Sequence, residues 1–104
     1  MINHLHILER DMEEETVFLP IDGVLDLHTF LPREIRDLVP AYLSACRARG
    51  IYDVRIVHGK GTGNLRRMVH AVLSRLDWVA SFRLAEEGRG GWGATLVVLK
   101  REGG

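Results

Sequence analysis

Asp26 and His28 stand two residues apart in Val24-Leu25-Asp26-Leu27-His28, and a second histidine, His58, opens His58-Gly59-Lys60-Gly61-Thr62-Gly63. A carboxylate beside an imidazole can fix the ring's orientation, which equips the histidine to move a proton near neutral pH. A second imidazole lets acid and base work be divided between two rings. The glycines of the second stretch allow backbone N–H groups to turn toward an anion, and Lys60 adds a positive charge. These residue types suit hydrolysis of a phosphodiester bond. His28, oriented by Asp26, is the candidate base or acid, His58 its complement, and Lys60 with the Gly61, Thr62 and Gly63 amides stabilises phosphate charge. Asp26 and the histidines could also hold Mg²⁺ or Mn²⁺ as a Lewis acid, with no ligand set assigned. The glycine loop has neither Walker A spacing nor the dinucleotide-binding fingerprint, and the same glycines suit a tight strand-to-helix turn.

The elements that carry these residues are legible from periodicity. Val24 to His28 and Val54 to His58 read as strands, each leading into a helix. Ile35, Leu38, Val39, Tyr42, Leu43 and Cys46 form one helical stripe ending near Gly50; Leu65, Met68, Val69, Val72, Leu73 and Leu76 form another. Thr62 or Asn64 is placed to cap the second helix. Pro40 falls within the first stripe and predicts a kink or break, with the apolar phase kept across it. Ala80 to Ala85 and Ala94 to Leu99 read as a final strand pair around a glycine-rich loop. The order β-α-β-α-β-β predicts a two-layer α/β sandwich: a four-stranded mixed sheet with both helices on one face. Residues 1–16 mix apolar and acidic side chains without a clean period and read as a flexible or loosely docked arm, leaving 17–104 as one domain.

In such a fold Leu25 and Leu27 face the helices and Asp26 faces outward, where Arg55 and Arg83 also fall. That surface is either a set of cross-strand ion pairs or a face that holds a phosphate backbone. His28 and His58 end neighbouring strands at one sheet edge, where α/β proteins collect ligands. Arg66 and Arg67 begin the second helix and oppose its dipole, a cost that a bound anion would offset. Trp92, in the glycine-rich loop, is placed to stack on a base or to pack over the sheet edge.

Charge and cysteine content narrow the setting. The formal net charge is zero, but residues 1–15 hold five acids against one base, so the remainder carries 13 bases and nine acids. Arg47 to Arg75 contains seven bases and one acid, Asp53, which is either a solvated rim or a surface for a polyanion. No apolar run reaches membrane-span length, and no basic segment precedes an apolar signal core. With Cys46 alone, no internal disulfide forms, and the expected location is cytoplasmic.

Three segments, Leu25-Asp26-Leu27-His28, His58-Gly59-Lys60-Gly61 and Gly90-Gly91-Trp92-Gly93-Ala94-Thr95, together resemble the Smr, or small MutS-related, domain over roughly Ile21 to Lys100. The resemblance implies sheet order 1-2-4-3 with the fourth strand antiparallel, like the C-terminal domain of translation initiation factor 3. It also implies nucleic-acid binding, in many members endonuclease or nicking activity on DNA or RNA, and a place for such a domain in a larger repair or translation-associated complex. Carried over, it sets Asp26 and His28 at the cleavage site and His58, Lys60 and Gly61 beside the phosphate. Thr29 stands where the family commonly has glycine, which narrows access to the strand end. The competing readings are a non-catalytic nucleic-acid-binding module and a phosphometabolite- or protein-interaction domain, with the acidic arm as interaction tail or competitor.

Overall fold

The computed structural model describes residues 4–10, 15–85 and 93–101. β1 (His4–Arg10) and β2 (Glu15–Pro20) form an antiparallel hairpin. A four-stranded sheet follows, built from β3 (Val24–Asp26), β4 (Asp53–Val57), β5 (Val79–Leu84) and β6 (Ala94–Leu99). Helices α1 (Ile35–Ala48) and α2 (Asn64–Ser74) lie in its connections. The strand order is β3-β4-β6-β5, which is 1-2-4-3 within this sheet. β3 and β4 run parallel, and β6 runs antiparallel to both of its neighbours.

Both predicted helical stripes are observed. Ile35, Leu38, Val39, Tyr42, Leu43 and Cys46 are buried on α1, while Val69 and Leu73 are buried on α2 with Leu65, Met68, Val72 and Leu76 packed against them. The strands meet this layer with alternate residues, Leu25, Val54, Ile56 and Val97 among them. Trp78 packs at the margin of the core, with the Arg47 guanidinium over its ring at 5.6 Å.

The segment expected to be a flexible or loosely docked arm contains β1 and the first two residues of β2, whose Leu19, like the following Ile21, packs with the core. The pairing of β1 with β2 shifts register between His6 and Leu8, and such a bulge interrupts the two-residue alternation by which a strand is read from sequence. Pro40 does not break α1, which runs unbroken from Ile35 to Ala48. The side chains on both sides of Pro40 bury in one core, and that packing outweighs one lost backbone bond.

β3 is only three residues long, and its position depends on α1. The buried Tyr42 hydroxyl accepts the Gly23 N–H at 3.2 Å and donates to the Val24 carbonyl at 3.0 Å, with Asp22 Oδ1 also in reach at 3.3 Å. Burial raises the Tyr42 pKa, so the phenol stays protonated and able to donate. Removing the hydroxyl strands a buried donor and acceptor. Tyr42→Phe is therefore expected to destabilise the fold by about 1–3 kcal/mol in urea denaturation; an unchanged midpoint would show that β3 does not depend on this clasp.

Candidate active site

The parallel register sets Asp26 beside Val57, and the Leu27 N–H bonds the Val57 carbonyl at 2.9 Å, so β3 and β4 leave the sheet at the same edge. As predicted, the chain positions His28 and His58 there. The two rings nevertheless occupy opposite sides of the sheet. Leu25 and Leu27 are buried under the helices, so Asp26 and His28 emerge on the open face; Val54, Ile56 and His58 are the buried members of β4 and its extension.

Asp26 and His28 form a local pair. Asp26 Oδ1 accepts the His28 backbone N–H at 3.0 Å and lies 2.8 Å from His28 Nδ1. The backbone N–H of His28 is the main cause that holds the Asp26 carboxyl below the usual carboxylate range. Partial burial opposes it, and the hydrogen bond and charge of the His28 ring assist. An ionised Asp26 can only accept, so Nδ1 carries the proton and Nε2 presents its lone pair outward. The side chains are well exposed, 75% for His28 and 51% for Asp26. This is an oriented imidazole open to solvent.

His58 is in a different state. Its ring is buried, with the residue only 7% exposed, and both nitrogens are engaged: Nδ1 lies 3.0 Å from the Gly59 carbonyl and Nε2 lies 2.8 Å from Thr95 Oγ1. The carbonyl can only accept, so Nδ1 donates to it and Nε2 accepts the Thr95 hydroxyl proton. Thr95, fully buried, accepts in turn from His70 Nε2 at 2.8 Å. One consistent chain of donors results, from His70 to Thr95 to His58 to Gly59. The His58 and His70 rings stand edge to face with centroids 6.3 Å apart. Thr95 and His70 were not read as site residues from the sequence. Thr95 is visible in hindsight as a polar residue on the buried face of a strand, whereas His70 gave no signal beyond its place next to an apolar stripe.

Gly59, Gly61, Thr62 and Gly63 surround a cleft of about 170 Å³ that also reaches His58, Asn64, Leu65 and Arg66. Gly59 and Gly63 have φ of +82° and +87°, values that side chains disfavour. The Gly93 carbonyl pins the start of the loop by accepting from both His58 N–H at 2.9 Å and Gly59 N–H at 2.8 Å. Gly63 begins α2, and a Cβ placed on it would lie 3.0 Å from Arg66 Nη2 and 3.1 Å from Arg67 Nη1. Both guanidinium groups thus fold back over the helix's own N-terminus, and Arg67 also donates to Asn64 Oδ1. Thr62 Oγ1 makes a long contact of 3.4 Å with the Asn64 N–H, and Lys60 is exposed at the loop. Converging cations and helix N–H groups make this a site that suits an anion. Gly61 needs no left-handed backbone and has no atom within 4 Å of a built Cβ, so neither turn nor packing accounts for it.

The remaining predicted residues divide. Arg55 and Arg83 lie on the open face, flanking Leu96 in one cross-strand row. Among the described residues neither forms an ion pair, so the expected cross-strand pairing is not seen there. Trp92 lies outside the described residues. Thr29 is exposed beside His28, while Phe30 turns into the core. Among the described residues no three His, Cys, Asp or Glu side chains converge as a metal-binding group, and no helix is long and apolar enough to cross a membrane.

Burial, chiefly, lowers the pKa of His58 and of His70 below the usual 6.5; the Gly59 carbonyl opposes this at His58, the His58 ring assists it at His70, and Arg66 adds to both. The unfolded rings take up protons near 6.5 while the folded ones stay neutral. Their contribution to stability is therefore complete above that value and is lost as pH falls toward the lowered folded values. Denaturation midpoints at about pH 7.5 and about pH 5 should fall further in wild type than in His70→Gln, which can still donate to Thr95 but takes no proton. An equal fall in both would remove His70 as a source.

A family model described as Smr domain matches residues 25–100. Endonuclease MutS2 of Pelotomaculum thermopropionicum is 44% identical over 79 residues, 76% of this chain and 10% of that protein. Endonuclease MutS2 of Clostridium tetani is 34% identical over 91 residues, 88% of this chain and 12% of that protein. The chain thus spans about a tenth of the length of these relatives. The crystal structure of the Smr domain of Thermus thermophilus MutS2 matches with a TM-score of 0.71 at 38% identity, covering 76% of this chain and 99% of that one. YdaL, a stand-alone small MutS-related protein from Escherichia coli, matches with a TM-score of 0.67 at 30% identity, covering 76% of this chain and 65% of that one.

Proposed function

This chain belongs to the Smr domain family, and on that footing we propose that it binds nucleic acid at the β3–β4 edge and cleaves its phosphodiester backbone. The observation that carries the reading is the exposed Asp26–His28 pair, with Nε2 free, on the strand next to a cationic glycine loop. His28 Nε2 takes a proton from the attacking water as the water oxygen bonds to phosphorus, later returning it to solvent, and ionised Asp26 stabilises the resulting imidazolium. The P–O bond to the leaving oxygen breaks, and that oxygen is protonated from solvent. Lys60, Arg66 and the N–H groups of the Gly61–Gly63 turn offset the charge gathering on the non-bridging oxygens. His58, sequestered with both nitrogens bonded, serves to position this turn through Gly59. Asp26 with phosphate oxygens and water is a donor set that suits Mg²⁺ or Mn²⁺. Such an ion would supply Lewis-acid polarisation of the phosphate.

Labelled single- and double-stranded DNA and RNA, incubated with and without chelator, test the reading. His28→Ala is expected to lower cleavage at least about 100-fold while binding falls much less, and Asp26→Asn should lower cleavage in the same direction. Cleavage unchanged in His28→Ala removes that ring from the mechanism; binding without cleavage in wild type leaves the non-catalytic module. The glycine loop offers a separate check. Gly59→Ala should cost about 1 kcal/mol of stability through its left-handed backbone, whereas Gly61→Ala should keep stability within about 0.5 kcal/mol and still weaken nucleic-acid binding. Unaltered affinity in Gly61→Ala would mean that no ligand approaches that backbone.

A further inference from the structure

The sheet face turned away from the helices carries a trough of about 240 Å³ that the nuclease reading leaves unused. Its floor is Leu96 and Val98, and its walls include Arg55 on β4 and Arg83 with Ser81 on β5. The register puts Arg55, Leu96 and Arg83 in one row, so the two arginine stems are two strand spacings apart, about 10 Å. Apolar surface is exposed along this face, with Val24 47% and Val98 41% accessible. Arg55 Nε is buried with no hydrogen-bond partner, and among the described residues no carboxylate pairs with either guanidinium. Asp53 is the acid lining the trough, one row farther from the site edge than Arg55. The basic row therefore lies between Asp53 and the edge where Asp26 and His28 emerge on this same face.

We infer that this face is the track for a single-stranded nucleic acid that continues from the cleavage edge, a reading that rests on the proposed function and extends it. Two long guanidinium side chains, unpaired among the described residues and with stems this far apart, can reach separate phosphates of one strand, and the apolar floor between them can lie against an unstacked base. A duplex keeps its bases inside the stack and offers a flat face only sugar and phosphate. The exposed Val24 and Val98 and the half-buried Leu96 favour the strand whose bases are free.

The test measures binding of fluorescent 12-nucleotide DNA and RNA, single-stranded and as duplexes, against salt concentration for the full chain, Arg83→Gln and Arg55→Met. Arg83 is exposed, so its variant reports without risk to the fold; Met at 55 keeps the apolar stem. Each arginine removed should lower the slope of log affinity against log salt by about 0.7 for single strands, and wild type should prefer single strands. Slopes unchanged in both variants, with wild-type binding and cleavage intact, overturn the track but leave the cleavage site. Slopes that fall while wild type cuts nothing uphold the track and sink the nuclease. Preference for duplex, no wild-type binding, or self-association in sedimentation abolished by Val98→Lys, which would assign the face to a second copy, each overturn it.

Discussion

The constraint on which the other features depend is that both helices cover the same side of one sheet. Each strand must then supply apolar groups to that side at every second residue, and whatever stands between them is left for water or a ligand. Leu25 and Leu27 satisfy the requirement on β3 and its extension, Val54 and Ile56 on β4, Val97 and Leu99 on β6. The intervening positions hold Asp26, Arg55 and Val98. A shift of one residue in any strand would exchange the two sets, so the same alternation that builds the core also decides which polar groups can be functional.

That alternation separates two histidines that look equivalent in one dimension. His28 falls on the open parity and stays solvated; His58 falls on the buried parity and is enclosed under α2 with Thr95 and His70. An enclosed imidazole must find partners for both nitrogens, and here those partners are the carbonyl that begins the glycine loop and a threonine on the central strand. The loop is thereby tied to β4, to β6 through Gly93, and to α2 through its left-handed cap. Its shape comes from the surroundings as much as from its glycines.

Most of this was legible in the sequence where period and chemistry coincide. The stripe from Ile35 to Cys46, the strand around Leu25 and the outward placement of Asp26, Arg55 and Arg83 all follow from spacing. The hairpin β1–β2 was not legible, because a register shift hides its alternation. The break allowed for at Pro40 does not occur, since local backbone cost is visible in a sequence and the packing that outweighs it is not. His58 was grouped with His28 because both end strands. Only the parity of a strand relative to a particular layer distinguishes them, and the partners that enclose His58 lie 12 and 37 positions away in the chain.

The clasp of Tyr42 on Gly23 and Val24 bears on how often the Asp26–His28 pair is assembled. β3 is the shortest strand of its sheet and lies at an edge, bonded to β4 alone. Segments of this kind open locally at a lower free energy than the sheet behind them. Because Asp26 ends this strand and His28 follows it, local opening of β3 would disperse the pair while leaving the rest of the domain folded. The strength of one phenol hydrogen-bond cluster on a helix thus contributes to how often the Asp26–His28 pair is assembled, and loss of that pair need not track global unfolding.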